Sequence, residues 1–149
     1  MKETTAILAG VSGVHFVAAE LARRGYIPSI TLRNTRAIDM LVSNQRATNI
    51  LSLQVKANRG KHRSWILNKK DETNYSKKLY YVFVCLRKSN ERPDFFIVPS
   101  LIVAKTITEG HKKWLKTPGV RGRKHRDNPM RRFSDRDEKY LEKWSSLKL

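Results

Sequence analysis

The chain has 149 residues, 40% of them hydrophobic, which is enough to bury one core, so a single domain is expected. Its 31 Lys and Arg against 13 Asp and Glu give a net charge of +18. A surface so dominated by one sign repels itself, and polyanion binding is its commonest use, which favours nucleic acid over a membrane as partner.

A lone cysteine, Cys85, excludes an internal disulfide, and its place in an apolar run reads as a buried structural thiol. No run reads as membrane-spanning, and Met1 to Gly10 lacks the basic region and long apolar stretch of a signal peptide, so a cytoplasmic protein is expected.

In chain order, Ser12 as N-cap, an apolar stripe of Val14, Phe16, Val17 and Leu21, and Gly25 as a left-handed stop predict an opening helix. Pro28 and Ser29 to Arg33 predict a first strand, Ala37 to Val42 a second and Ile50 to Ala57 a third. The polar stretch Ser43 to Asn49 turns between the last two, and an antiparallel meander is the economical pairing. In the third strand a period of two sets Leu51, Leu53 and Val55 on one face and Ser52, Gln54 and Lys56 on the other. Asp39 sits among Ile38, Met40, Leu41 and Val42, where an acid is costly unless it is paired or binds a metal. Arg33, Arg36 and Lys56 are its candidate ion-pair partners. Pairing of the second and third strands would bring Asp39, Gln54 and Lys56 together.

Arg59 to Lys78 is polar and basic apart from Trp65-Ile66-Leu67, with room for a short strand and a short helix. Leu79 to Leu86 and Phe95 to Val98 are the most strand-like runs, and Ser89, Asn90, Pro93 and Asp94 between them predict a hairpin that extends the same sheet. Ser100 is expected to cap a helix to about Leu115, burying Leu101, Val103, Ala104, Ile107 and Trp114, with a kink at Gly110. Lys116 to Pro129 reads as irregular. Ser134 and Asp137 offer caps for a terminal helix carrying Tyr140, Leu141 and Trp144.

The basic residues concentrate late in the chain. Lys112, Lys113, Lys116, Arg121, Arg123, Lys124, Arg126, Arg131 and Arg132 have Asp127 as the one acid among them, and Lys61, His62 and Arg63 extend the set. This density of one sign marks Lys61, Arg63, Arg121, Arg123, Lys124, Arg126, Arg131 and Arg132 as expected phosphate contacts. Trp65 and Trp114 read as core before base-stacking platforms, and His111 and His125, without zinc-site spacing, as structural or phosphate contacts.

The pair Ile38-Asp39 followed by Gln54-Val55-Lys56 resembles the PD-(D/E)XK nuclease superfamily in the Gln-x-Lys form of Mrr-type restriction endonucleases, related to archaeal Holliday-junction resolvases. Gly10 to Tyr26 is similar to the opening helix of resolvase-like members, and Ile97 to Ser100 with the helix after it resembles small uncharacterised members. The resemblance covers most of Gly10 to Leu115 and implies a restriction-endonuclease-like α/β fold: a mixed β-sheet flanked by helices in one domain. Residues 1–116 would form the core, with 117–149 a basic loop and C-terminal helix packed on it.

The resemblance also implies a DNA endonuclease dependent on Mg2+ or Mn2+, with Asp39, Gln54 and Lys56 as catalytic set and Asp39, Gln54 and the Val55 carbonyl as metal donors. DNA is favoured over RNA as partner, and two copies would pair to cut both strands. One departure stands out: many members of the resembled superfamily carry a glutamate eleven residues before the glycine that ends the helix, and that position is Val14. Glu20 lies about 240° around the helix from Val14 and reads as an exposed partner of Arg23 or Arg24. A catalytically inactive member of the fold that binds DNA or RNA is the alternative. A basic RNA-binding structural protein without a metal site would leave Asp39 beside Gln54 and Lys56 unexplained.

Overall fold

A computed structural model of the chain describes residues 5–32, 37–60 and 62–149. It opens with helix α1, Ala6–Arg23, capped by Thr5, whose hydroxyl accepts from Leu8 N, so the helix begins before the expected cap Ser12. Its inward face is Ala9, Gly13, Val17 and Leu21 at steps of four, whereas Phe16, expected in the stripe, is exposed. Gly25 ends it at φ +82°, with Gly25 N bonded to Ala22 O and Tyr26 N to Leu21 O. By length and composition α1 could cross a membrane, at 18 residues with mean hydropathy 1.3, contrary to the expectation that no run comes near. Here it packs on the strands Ile27–Ile30 and Ile50–Asn58.

Strands β1 (Ile27–Ile30), β2 (Met40–Ser43) and β3 (Ile50–Asn58) form the antiparallel meander that the alternation implies. The chain then builds β4 (Ser64–Asn68) and one 3-10 turn (Lys69–Glu72), the short strand and helix for which the polar stretch has room. β5 (Leu79–Cys85) pairs with β3 in parallel and with β6 (Asp94–Pro99) antiparallel, giving a mixed sheet of order β1-β2-β3-β5-β6. β5 is buried along its whole length because both faces are covered. On the α1 side Val82 and Val84 join Val17, Leu21, Met40, Leu53 and Val55. On the other side Tyr81, Phe83 and Cys85 meet Trp65, Leu67, Val103, Ile107 and Phe133.

Helix α2, Ser100–Lys116, covers that second side and runs through Gly110 as one element. Ser100 is its first residue instead of its cap; the buried hydroxyl donates to Ser76 O and accepts from Ser76 N, both at 3.0 Å. Leu101 and Trp114, expected inside, are exposed.

The expected terminal helix does not form among the described residues. Met130–Ser134 is instead a strand, β7, antiparallel to β4, and Phe133 stacks on Phe83 at 4.5 Å. The tail then lies along the free edge of β6, with Ile97 N on Tyr140 O and Glu142 N on Phe95 O, and seats Trp144 in the core. An open strand edge is thereby covered.

Candidate functional site

The β2–β3 register pairs Met40 with Leu53, so Asp39, one residue further out, stands across from Gln54. Asp39 N donates to Leu53 O at 2.9 Å, and its Oδ2 accepts from Val55 N at 2.7 Å. The carboxylate therefore takes the place that a strand carbonyl would occupy on Val55. Two further bonds fix this segment: Thr31 N to Asp39 O at 3.1 Å and Thr31 Oγ1 to Ile38 O at 2.7 Å. The N–H and C=O of one strand residue point to the same side, so the Val55 carbonyl faces the edge where Asp39 lies.

Gln54 pairs with Tyr81 and Lys56 with Phe83, which sets both side chains on the α2 side of the sheet, while Val55 packs on the α1 side. Gln54 is 6% exposed, and its Oε1 is buried without a hydrogen-bond partner among the described residues. Beside it, the Tyr81 hydroxyl donates to buried Asp71 at 2.9 Å, and burial together with the Asp71 charge holds the phenol well above its usual range.

Asp39 opens into a cleft of about 530 Å3 shared with Val14, Val55 and Thr31. Lys56 lines an adjoining groove of about 580 Å3 with Asn58, His62 and Arg132. Ala6, in the first turn of α1, borders both. That turn can come so close because Gly13 lies against β3: a Cβ there would stand 2.7 Å from Ala57 Cβ. Lys56 makes no ion pair among the described residues, so Lys56 is not the partner of Asp39. Arg33 and Arg36 lie outside the described residues. Asn58 continues the Gln54, Lys56 alternation and belongs to the same groove, a position that the period of two already marked.

Among the described residues no three His, Cys, Asp or Glu side chains gather as a metal cluster. Two oxygen donors nevertheless share one edge, the Asp39 carboxylate and the Val55 carbonyl. Oxygen donors of this kind suit Mg2+ or Mn2+. Asp39 and Val55 line the same cleft, whereas Gln54 lies on the α2 side of the sheet and does not line it.

The expected phosphate contacts divide. Arg121, Arg123, Lys124, Arg126 and Arg132 are exposed. Arg131 is not available: it is 4% exposed, its Nε is paired with Glu72, and its Nη1 donates to Asn128 O at 2.7 Å and Met130 O at 2.9 Å. Arg63 is half-buried and paired with Glu138, and Lys61 lies outside the described residues. Glu20, expected at the surface, is buried at 6% exposure and held by Arg23, Arg24 and Arg92. The Arg92 guanidinium in particular draws its carboxyl down to about 2. Burial pushes the Cys85 thiol up to about 11, which suits a packing role. Trp65 is core, its Nε1 donating to Val84 O at 3.1 Å.

No protein-family model matches the chain, and no curated protein matches it either. Among solved structures, a bacterial homing endonuclease, I-Ssp6803I, aligns at a TM-score of 0.56 and 13% identity over 97% of this chain and 92% of that one. Hjc, a Holliday junction resolvase from Archaeoglobus fulgidus, aligns at a TM-score of 0.48 and 12% identity over 85% and 84%. The fold assignment rests on the first: the chain has the restriction-endonuclease-like fold, a mixed five-stranded sheet flanked by two helices in one domain.

Proposed function

We propose that this protein is a DNA endonuclease dependent on Mg2+ or Mn2+, with its site at Asp39, Val55 and Lys56. Fold alone does not carry an activity. What carries the reading is the Asp39 carboxylate, fixed on Val55 N at the mouth of one cleft, with Lys56 in the groove that adjoins it. Asp39 and the Val55 carbonyl would hold the ion, which when bound polarises the scissile phosphoryl group and acidifies a water. The Lys56 ammonium, free of ion pairs among the described residues, faces the charge that builds on the phosphate. Exposed Arg121, Arg123, Lys124, Arg126 and Arg132 supply sequence-independent affinity for the backbone. Pairing of two copies would let both strands be cut.

A second reading, a nucleic-acid-binding module without cleavage, draws on Val14, which lines the Asp39 cleft at the position where many members of the resembled superfamily carry a glutamate. One assay separates the two: cleavage of single-stranded, duplex and branched DNA and of RNA, with and without Mg2+ or Mn2+. Asp39→Asn keeps an acceptor for Val55 N but removes the charge, and Lys56→Ala removes the cation. Each is expected to abolish cleavage while binding changes less. Wild-type protein that binds neither metal in the presence of DNA and cuts none of the substrates would establish the module instead.

A further inference from the structure

A second concave site, about 430 Å3, lies between α2 and β7, away from Asp39. Its rings are held before any ligand arrives. Trp114, 37% exposed, stacks with His125 at 4.1 Å and 10° and with His111 at 5.4 Å and 26°. His125 Nδ1 donates to the Trp114 carbonyl at 2.8 Å, and His111 Nε2 meets Asp127 Oδ1 at 2.7 Å, so the basic loop is pinned to α2 at two points. Gly119 permits this, since a Cβ there would come within 2.8 Å of His125 Nε2.

Gly110 is the second observation. It lies inside α2, where glycine is the worst residue after proline, yet a Cβ at this position would meet nothing within 4 Å. Internal packing does not require a glycine here. Gly110 lines the site, and any longer side chain would occupy it. The third observation is continuity. Arg132 borders both this site and the groove of Lys56, with its Nη1 on Ser64 Oγ at 3.0 Å. Thr106, Asn128 and Ser134 add polar groups around the rings.

A fixed aromatic platform, an open wall, polar side chains and a cation at the mouth together match one nucleotide. A paired base cannot use a ring platform, because its faces are covered by its neighbours in the stack. The geometry points to a site for one unpaired nucleotide of a bound nucleic acid, with its base against the exposed part of the Trp114 ring and its phosphate on Arg132. This rests on the nucleic-acid-binding reading above and adds to it a preference for DNA with an unpaired base.

The test compares a fully paired duplex with the same duplex carrying one bulged adenine, both titrated without divalent metal so that nothing is cut. Trp65 and Trp144 are buried, so quenching of indole emission by DNA reads Trp114. Wild-type protein is expected to bind the bulged duplex about fivefold or more tighter, the low end of what one base stacked on an aromatic ring contributes, and to be quenched by it alone. Gly110→Leu fills the site while improving helix propensity. It should keep its melting temperature, bind both duplexes alike and lose the quenching. Trp114→Leu should lose the preference as well, which covers the case of a misfolded Gly110 variant.

Equal wild-type affinity for the two duplexes, or a preference retained in both variants, overturns the site and leaves the nuclease reading intact. Wild-type protein that binds neither duplex overturns both readings.

Discussion

Glu20 gives the sharpest quantitative prediction about what holds α1 to the rest of the chain. Its carboxylate accepts from Arg23 at 3.0 Å, from Arg24, and from Arg92 Nε and Nη2 at 3.2 and 3.0 Å. Arg92 also donates to Glu142 at 2.8 and 3.1 Å, so one guanidinium joins the end of α1, the β5–β6 loop and the tail along β6. Hydrogen bonding to Arg92 is the largest cause that lowers the Glu20 carboxyl from 4.5 to about 2, against burial, which raises it. At 1.36 kcal/mol per unit, that difference is worth about 3 kcal/mol.

A folded-state pKa below the unfolded one means that the contribution is complete above pH 4.5 and fades as pH falls towards 2. Glu20→Gln keeps the shape and removes the charge, so it should cost about 3 kcal/mol at pH 7 and almost nothing at pH 2. Urea unfolding of both proteins from pH 7 to 2 measures the gap directly, because titration of the other carboxylates cancels in the difference. Two stability curves that run parallel across pH 4.5 to 2 would refute the reasoning.

The other predictions concern the site and the basic surface. Val14→Glu puts a carboxylate into the Asp39 cleft, so calorimetric Mn2+ affinity should rise at a stability cost of about 1–3 kcal/mol for burying a polar group, followed by circular dichroism. A folded variant with unchanged metal affinity would dissociate Val14 from the proposed site. Replacing exposed Arg121, Arg123 and Lys124 with Ala should flatten the dependence of log K on log salt by roughly 0.9 per lost phosphate contact on duplex DNA. An unchanged slope moves the binding surface elsewhere.

What was legible in the sequence follows from how local each signal is. The meander and the β5–β6 hairpin were readable because period-two alternation and turn residues lie within a few positions of each other. The parallel pairing of β3 with β5 was not, since its crossover is the polar stretch that holds β4 and carries no periodicity of its own. β7 was misread for a related reason. Met130-Arg131-Arg132-Phe133 looks like a basic loop until Glu72, far back in the chain, neutralises Arg131 and lets that strand face inward. Glu20 looked like a surface partner because Arg23 and Arg24 are near in sequence, whereas Arg92, which completes its burial, is distant.

The same contrast bears on the candidate site. The spacing of Asp39, Gln54 and Lys56 pointed to one edge of the sheet, but it could not show that the Asp39 carboxylate is already engaged by Val55 N. On the proposed reading that bond is useful: it orients the acid and aims the adjacent carbonyl with no second residue. It also leaves the site with one formal negative charge beside a lysine, too little to hold a divalent ion tightly by itself. The missing negative charge must come from the phosphates of the bound strand, which a +18 surface gathers first. On that reading metal and nucleic acid would raise each other's affinity by one common factor, and the protein free of nucleic acid would hold its ion weakly. Val14, read this way, makes metal loading depend on substrate.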